Sequence, residues 1–469
     1  MIQATLREAA AWSGSLSFPN ENDAGDRRLA GVSTDTRTIA PGQLFVPLVG
    51  ERFDGHDHLA AAEAAGAAAA LWRADRPRPE TALPLLIVED TLSALQKLAE
   101  GYLSTLNARV VGVTGSNGKT TTKDLIASVL STGYKVAKTE GNFNNEIGLP
   151  LTILRAPADT EVLVLEMGMS GRGEISLLTR LAKPEAAVIT NIGESHLLQL
   201  GSRREIARAK LEIVEGLRSG GALVYNGDEP LLAEELPGAG LPAGAKAIAF
   251  GTGEGCDLRL ADVEVAVEGS KFRTADDPQA EYELPVPGRH NALNALAAVA
   301  VGRLFGLTSA GIAEGLRAAK LTGMRIERTA AANGAIVLND AYNASPTSVR
   351  AAIDLVAGLR LPAGGRKILV LGDMLELGPD EAEFHAAIGR GATPDKADAL
   401  FAYGPLSRHL AEAAEAAFPS GDVRHFADKR ELAAELLGRL GPNDLVLVKG
   451  SRGMKLEEIV VALQRGAVE

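Results

Sequence analysis

The stretch RVVGVTGSNGKTTTKDLIASVLSTG, residues 109–133, decides the reading of this chain. It opens on an apolar run that reads as a buried strand and passes through a glycine-rich turn. It then continues as a helix whose Leu125, Ile126, Val129 and Leu130 share one face. Gly133 stands where a C-cap glycine would close that helix. Within the turn, Gly115 and Gly118 let the backbone bend so that N–H groups from Ser116 and Asn117 to the helix start can point at a polyphosphate. Lys119 supplies a mobile cation, and Thr120, followed by Thr121, supplies a hydroxyl suited to Mg²⁺. The general template G-x-x-x-x-G-K-[ST] is not met, because Val113 takes its first glycine position; the variant TGxxGKT is met instead. A strand before the turn and a helix after it favour a nucleotide site over a chance GKT.

Outward from this turn, Val162 to Glu166, Ala186 to Thr190 and Ala222 to Tyr225 read as further buried strands separated by helix-length segments, the spacing of parallel βαβ units. Alternation in DVEVAV and KFRT predicts antiparallel strands over about residues 256–285, attached to the same sheet, before a helix from Asn291 to Leu304. On the N-terminal side, LFVPLV and PLLIV are strand-like, Ala-rich segments are helical, and a helix runs from Thr91 to Leu106. After Lys320 the pattern restarts with AIVLND, KILVLGD, ALFAYG and DLVLVKG as strands, and with helices such as Glu431 to Leu440 and Leu456 to Gln464. The expected architecture is α/β with three domains: a small α/β module over 1–107, a central doubly wound parallel sheet over 108–320, and a Rossmann-like domain over 321–469. The length of 469 residues also predicts roughly three domains at about 150 residues each.

Composition narrows the classes. With 46% hydrophobic and 23% charged residues the chain is globular, neither a disordered tail nor a membrane bundle. Acidic residues number 60 against 48 basic ones, a formal charge of −12, so a general nucleic-acid binder is disfavoured and any phosphate must be held locally. The single cysteine, Cys256, excludes an internal disulfide framework and a Cys-based zinc site, and suits a reducing compartment. The start MIQATLREAAAW lacks a basic-then-apolar leader, and the run from Ala60 to Trp72 is broken by Glu63 and Gly66. A cytoplasmic protein with no membrane insertion is expected.

A second constellation follows from strand ends. Glu166 closes the strand VLVLE and His196 follows the strand AVIT, so both should emerge at the carboxyl edge of the sheet, where open α/β folds bind ligands. A carboxylate and a neutral imidazole there can hold Mg²⁺ against phosphate oxygens. Over Arg203 to Leu217, Ile206, Lys210, Ile213 and Leu217 share an apolar helical stripe, so Lys210 is a cation on a buried face. Desolvation lowers a lysine pKa, and a neutral amine can add CO₂ to become a carbamate, a carboxylate-like ligand. From pattern alone, a snorkelling or salt-bridged lysine is the simpler reading.

Taken together, VTGSNGKTTTKD, GNFNNEIGLPLTIL (141–154), LVLEMGM, ITNIGESHL, the AKLEI helix, PGRHNALNALAA (287–298), LTGMRIE (321–327), NDAYNASPTS (339–348), LGDMLELG (371–378) and VKGSRGMKLEEIV resemble the Mur ligase superfamily, most closely its dipeptide-adding branch. The resemblance covers essentially the whole chain. It implies a UDP-sugar-binding N-terminal domain, a central ATPase and a mobile C-terminal domain. It also implies an ATP-dependent ligase that adds D-alanyl-D-alanine to UDP-N-acetylmuramoyl-tripeptide through an acyl phosphate, acting as a monomer. By the same resemblance Lys119 and Thr120 are phosphate and magnesium residues and Glu166 a ligand of the first magnesium. His196 with a carbamylated Lys210 makes the second magnesium site. Asn291 and Asn294 resemble adenine-side contacts, and Arg325, Asp340, Tyr342 and Asn343 resemble nucleotide contacts from the C-terminal domain. Asn144 and Asn145 match the substrate-side loop, and Ser33, Asp35, Arg37, Asp54 and His56 match the uridine-diphosphate site.

Local readings stand beside these. RHNALNALAA is also an ordinary helix start with an Asn cap, DAYNASP a turn, Asn144 and Asn145 turn formers, and DGHDH a set of loop caps or a metal site. KLEI places Leu211 where the family is familiar with glycine, a change expected to affect packing. Two rivals remain at this stage: another Mur-type or folylpolyglutamate-type amino acid ligase, and a non-catalytic nucleotide switch. GNFNN and DAYNASP favour the dipeptide branch over the first. The set Glu166, His196 and Lys210 speaks against the second, which has no need of it.

Overall fold

Three sheets follow one another along the chain in this computed structural model, which describes residues 2–17 and 25–468. The first is a four-stranded parallel sheet of Val32–Ser33, Leu44–Phe45, Ala69–Arg73 and Leu85–Val88, in sequence order. The predicted LFVPLV strand is only two residues long; Pro47 has no N–H with which to extend a ladder. Helix Leu6–Ser13 starts on a Thr5/Glu8 capping box, and helix Thr91–Thr105 is capped by Asp90.

The central sheet has nine strands. Arg109–Thr114 lies inside it, parallel to Val162–Glu166 on one side and Ala186–Ile189 on the other. These runs of Val, Leu, Ile and Ala are buried on both faces, which is why they read as continuous apolar segments rather than alternating ones. The far end carries Leu258–Ala266, Gly269–Thr274 and Glu281–Leu284 as the expected antiparallel strands.

Two expectations are corrected. Gly133 does not close the helix Lys119–Leu130: the cap is Ser131, in right-handed geometry. Its glycine answers instead to a close approach, since a Cβ there would stand 2.8 Å from Leu307 Cδ2. The single helix expected over 203–217 is an α-helix Arg203–Leu211 followed by a 3₁₀ segment Glu212–Gly216. Thr179 Oγ1 donates to Ile213 O at 2.7 Å, and a Cβ on Gly216 would lie 2.1 Å from Thr179 O. Contact with the neighbouring helix Glu174–Ala182 tightens the last turn. Lys210, Ile213 and Leu217 nonetheless remain buried, and Leu211 packs in the core.

The third sheet has six strands, in spatial order Glu327–Ala330, Ile336–Asp340, Leu445–Lys449, Lys367–Gly372, Ala399–Tyr403 and Val423–Phe426. All neighbours are parallel except the first pair. The antiparallel edge strand ERTA escapes sequence reading because it is polar and mostly exposed. One hydrophobic core is shared by the N-terminal and central domains, and another runs from the central into the C-terminal domain. The carboxyl ends of the central and C-terminal parallel strands thereby border one cavity. Among the described residues, no helix is long and apolar enough to cross a membrane.

Candidate active site

The phosphate turn is shaped by two approaches that leave no room for a side chain. Gly115 has φ +143°, and a Cβ there would stand 1.9 Å from Thr190 Oγ1. Gly118, at φ +79°, caps the helix Lys119–Leu130, and a Cβ there would lie 2.6 Å from Asn294 Oδ1. Only glycine meets both the dihedral and the clearance. The N–H groups of Ser116 and Asn117 donate to the backbone and side-chain oxygens of Asn191, both at 2.9 Å, so these amides hold the turn rather than reach a ligand. What stays available is Ser116 Oγ and Asn117 Nδ2, buried without a partner among the described residues, and the helix start, which no side chain caps. Lys119 folds back over the turn, its Nζ donating to Gly115 O at 2.8 Å and Ser116 O at 3.3 Å. Burial lowers its pKa and Arg325 adds to that, against the opposing charge of Glu166.

Opposite the turn, Glu166 accepts from Thr120 Oγ1 at 2.8 Å on one oxygen and from Asn144 Nδ2 at 2.9 Å on the other. The buried Lys123 ammonium stands 4.0 Å away. A hydroxyl and a carboxylate meeting at the mouth of a phosphate turn form a hard-oxygen donor pair that fits Mg²⁺, with the remaining positions left to phosphate and water. Among the described residues no three His, Cys, Asp or Glu side chains cluster as a closed metal cage. Lys210 is 1% exposed and forms no hydrogen bond or ion pair among the described residues; burial, then the charge of Lys119, holds its pKa well below the usual lysine range. His196 lines the cavity, with Nδ1 3.0 Å from Glu376 Oε2. Burial lowers the pKa of its imidazole, with Lys210 acting in the same direction and Glu376 against it. Lys119 and Lys210 bring positive charge here, opposed by Glu166, Glu174 and Glu212, and a carbamate on Lys210 would turn that cation into an anionic oxygen donor suited to a second divalent cation.

The cavity lined by the phosphate turn, Asn144, Glu166 and His196 measures about 910 Å³, and the buried Lys210 is not among the residues that line it. Asn291 and Asn294 border it from the helix Arg289–Leu304. The cap of that helix is Gly288 rather than an asparagine, and Asn291 Nδ2 reaches Pro287 O at 2.8 Å. Arg325, Asp340, Tyr342 and Asn343 enter from the C-terminal domain. The Arg325 guanidinium sits 4.1 Å over the Tyr342 ring, with Nε buried and unpartnered, and Asp340 accepts from Lys449 Nζ at 2.6 Å. Asn145 lines the cavity, but its Oδ1 accepts from Gly148 N–H at 2.9 Å, the local turn role its sequence allowed.

The N-terminal residues stay outside this cavity. Ser33 ends a strand of the first sheet and Asp35 and Arg37 follow it, where Arg37 holds the Asp35 carboxyl down to about 2. Asp54 caps the 3₁₀ turn Gly55–His58, pairs with Arg76 and accepts from His56 Nδ1 at 2.8 Å. The His56 ring is enclosed, edge-on to Trp72 at 4.8 Å. The loop-cap reading of DGHDH therefore describes what Asp54 does locally.

Several residues in or beside the cavity were not singled out from sequence. Ser345 Oγ donates to Asn117 Oδ1 at 3.0 Å, and Glu194 accepts from Thr347 Oγ1 at 2.6 Å, joining the C-terminal domain to the phosphate turn and to the His196 loop. His290 lines the cavity near Asp340 and Lys449, and burial pulls its pKa to about 4. Glu376 and Lys449 lie in LGDMLELG and VKGSRGMK, each at or just past a strand end, and that position was the available signal.

Comparison with known proteins agrees along the length of the chain. Residues 28–103 match the Mur ligase family catalytic domain, 113–302 the Mur ligase middle domain, and 324–452 the Mur ligase glutamate ligase domain. A UDP-N-acetylmuramoyl-tripeptide–D-alanyl-D-alanine ligase of Bacillus subtilis (strain 168) is 49% identical over 461 residues, covering 98% of each chain. One of Escherichia coli (strain K12) is 37% identical over 449 residues, covering 95% of this chain and 96% of the other. Among solved structures, MurF from Acinetobacter baumannii superposes with a TM-score of 0.88 at 28% identity over 99% of both chains. MurF ligase from Thermotoga maritima in complex with ADP does so with 0.81 at 31% identity, over 93% of this chain and 97% of that one.

Proposed function

The chain belongs to the Mur ligase family, and from that premise we propose that it joins the amine of D-alanyl-D-alanine to the terminal carboxyl of UDP-N-acetylmuramoyl-tripeptide with conversion of ATP to ADP and phosphate, a step of peptidoglycan synthesis. The observation that carries this reading is the meeting, in one cavity, of an uncapped phosphate-turn helix, the Thr120–Glu166 pair and the nucleotide-facing residues of the C-terminal domain. We take the enzyme to act as a monomer. We assign the enzyme to the cytoplasm, consistent with its lone cysteine.

The chemistry follows from placement. The uncapped first turn of the helix Lys119–Leu130 and the Lys119 ammonium receive the β- and γ-phosphates, Lys119 leaving the carbonyls of Gly115 and Ser116 to do so. Asn291 and Asn294 face the base, while Arg325, Asp340, Tyr342 and Asn343 close on the nucleotide from the other side. Thr120 and Glu166 hold the first magnesium, and His196 with a carbamate on Lys210 holds the second. When bound, these ions neutralise charge on the phosphates and the transferring phosphoryl group. The buried Lys210 amine, without a hydrogen-bond partner among the described residues and held well below the usual lysine pKa range, supports that modification.

The peptide carboxylate attacks the γ-phosphorus and ADP leaves. The dipeptide amine then attacks the acyl carbon of the resulting acyl phosphate, and phosphate leaves. Asn144, hydrogen-bonded to Glu166, sits where the donor peptide would approach the phosphates. Ser33, Asp35, Arg37, Asp54 and His56 mark the carboxyl edge of the first sheet as the uridine-diphosphate end. Contacts such as Ser345 to Asn117 hold the C-terminal domain over the site, which keeps water from the acyl phosphate.

The test uses tripeptide labelled with ¹⁸O in its terminal carboxyl. One labelled oxygen per turnover should appear in the phosphate, and mass spectrometry should find the UDP-linked pentapeptide. Unlabelled phosphate, or glutamate or a diaminoacid outcompeting the dipeptide, rejects the reading.

A further inference from the structure

Where the central and C-terminal domains meet, two residues that carry a Cβ adopt left-handed backbone: His196 at φ +63° and Glu376 at φ +65°. Such geometry is unfavourable for side-chain-bearing residues and persists where surrounding contacts impose it. These two face each other. Glu376 O accepts from Leu198 N–H at 3.4 Å, and Glu376 Oε2 stands 3.0 Å from His196 Nδ1. A Cβ on Gly378 would lie 3.6 Å from Leu198 Cα, so the segment 376–378 is seated directly on 196–198. His196 Nδ1 is buried and has no in-line hydrogen bond among the described residues, and the carboxylate of Glu376 is the acceptor it faces. From the central domain, Lys119 and Lys210 also face this ring.

We propose that Glu376 is a positioning residue for His196: the C-terminal domain delivers its carboxylate to Nδ1–H, which sets the tautomer and direction of the ring and leaves Nε2 as the lone-pair nitrogen for a divalent cation. The inference rests on the assignment of His196 to the second cation. Histidines that bind metals generally donate their other ring N–H to a carboxylate, carbonyl or water, and that partner fixes the ring. Here ligand and partner belong to different domains. The second cation site is therefore complete only when the domains are together, which ties phosphoryl transfer to the state in which water is excluded.

The test uses the full-length protein with Mn²⁺ as the probe. Electron paramagnetic resonance counts bound Mn²⁺ in the presence of ADP for the wild type, Glu376→Ala and Glu376→Gln. The Glu376 side chain is 55% exposed, so both variants are expected to fold. The wild type should bind two ions. Glu376→Ala should weaken the second by about 10–100-fold and leave the first unchanged, with kcat falling in step and KM for D-alanyl-D-alanine unchanged. Glu376→Gln, whose amide oxygen still accepts Nδ1–H, should recover part of both. Unaltered affinity for the second ion in Glu376→Ala overturns the proposal. So does a raised KM for the dipeptide with both ions intact, which would make Glu376 a contact for the incoming amine. A wild type that binds only one ion removes the two-cation assignment as well, whereas the first two outcomes leave the ligase reading standing.

Discussion

Asp124→Ala is expected to destabilise the chain by about 3–5 kcal/mol, the range found when one partner of a buried ion pair is removed. Asp124 lies on the helix that begins at the phosphate turn, and its side chain is fully enclosed. One oxygen accepts from Lys138 Nζ at 2.6 Å and stands 3.4 Å from Lys123 Nζ. The other accepts from Thr322 N–H at 2.7 Å and Thr322 Oγ1 at 2.8 Å, on the segment that leads into the C-terminal domain. Alanine leaves the buried Lys123 ammonium with Thr139 O, at 2.6 Å, and a more distant Glu166. Thr322→Val removes one hydroxyl donor and should cost about 1–2 kcal/mol. At about 2–4 °C per kcal/mol for a domain of this size, the two apparent Tm shifts are about 6–20 °C and 2–8 °C.

Scanning calorimetry at a fixed rate measures both. The pH dependence adds a second check. Burial would raise the Asp124 pKa, but the charge of Lys123 and the hydrogen bonds from Lys138 and Thr322 outweigh it and hold the carboxyl below its ordinary 3.8. A carboxyl depressed on folding contributes stability that is present above its unfolded pKa and lost as pH falls through its folded value. The gap between wild type and Asp124→Ala should therefore narrow below about pH 4. A shift no larger than that of Thr322→Val, or a gap that widens in acid, refutes the reasoning.

Three further outcomes are expected. Lys119→Ala should abolish dipeptide-dependent phosphate release while the circular dichroism spectrum is kept, and retained turnover contradicts the placement of the phosphates. Lys210→Ala should lose most turnover with ATP binding largely preserved; the wild type equilibrated with ¹³C-bicarbonate should show a carbamate carbon resonance that the variant lacks, and its absence from the wild type removes the carbamate. Gly118→Ala must place a Cβ at φ +79° against Asn294. Left-handed strain of about 1–2 kcal/mol should raise KM for ATP roughly 5–30-fold, and an unchanged KM would show that the turn tolerates the side chain.

Much of the site was legible because its groups stand at predictable places on local elements. Glu166 ends a strand of four apolar residues, and the phosphate turn sits between a strand and a helix, so chain pattern alone put both at one sheet edge. Lys210 was visible as a cation on an apolar stripe, and it is buried as the stripe requires even though the helix ends early. What misled were signals with two causes. Gly133 resembles a C-cap but makes room for Leu307, and the asparagine of RHNAL reads as a cap while Gly288 holds that position. A glycine or asparagine does not announce which neighbour it answers to.

The sequence by itself determined the order of the main buried strands and the helices between them, the three-part α/β plan and the location of the phosphate turn, because hydrophobic period and glycine chemistry act within a few residues of their cause. Only the tertiary structure decided that Asn191 occupies the amides of Ser116 and Asn117, that Ser345 and Glu194 tie the domains together, and that Glu376 meets His196. Those contacts join loops far apart in the chain, at the ends of strands whose spatial order is set by sheet packing, and no local periodicity encodes which loop will face which.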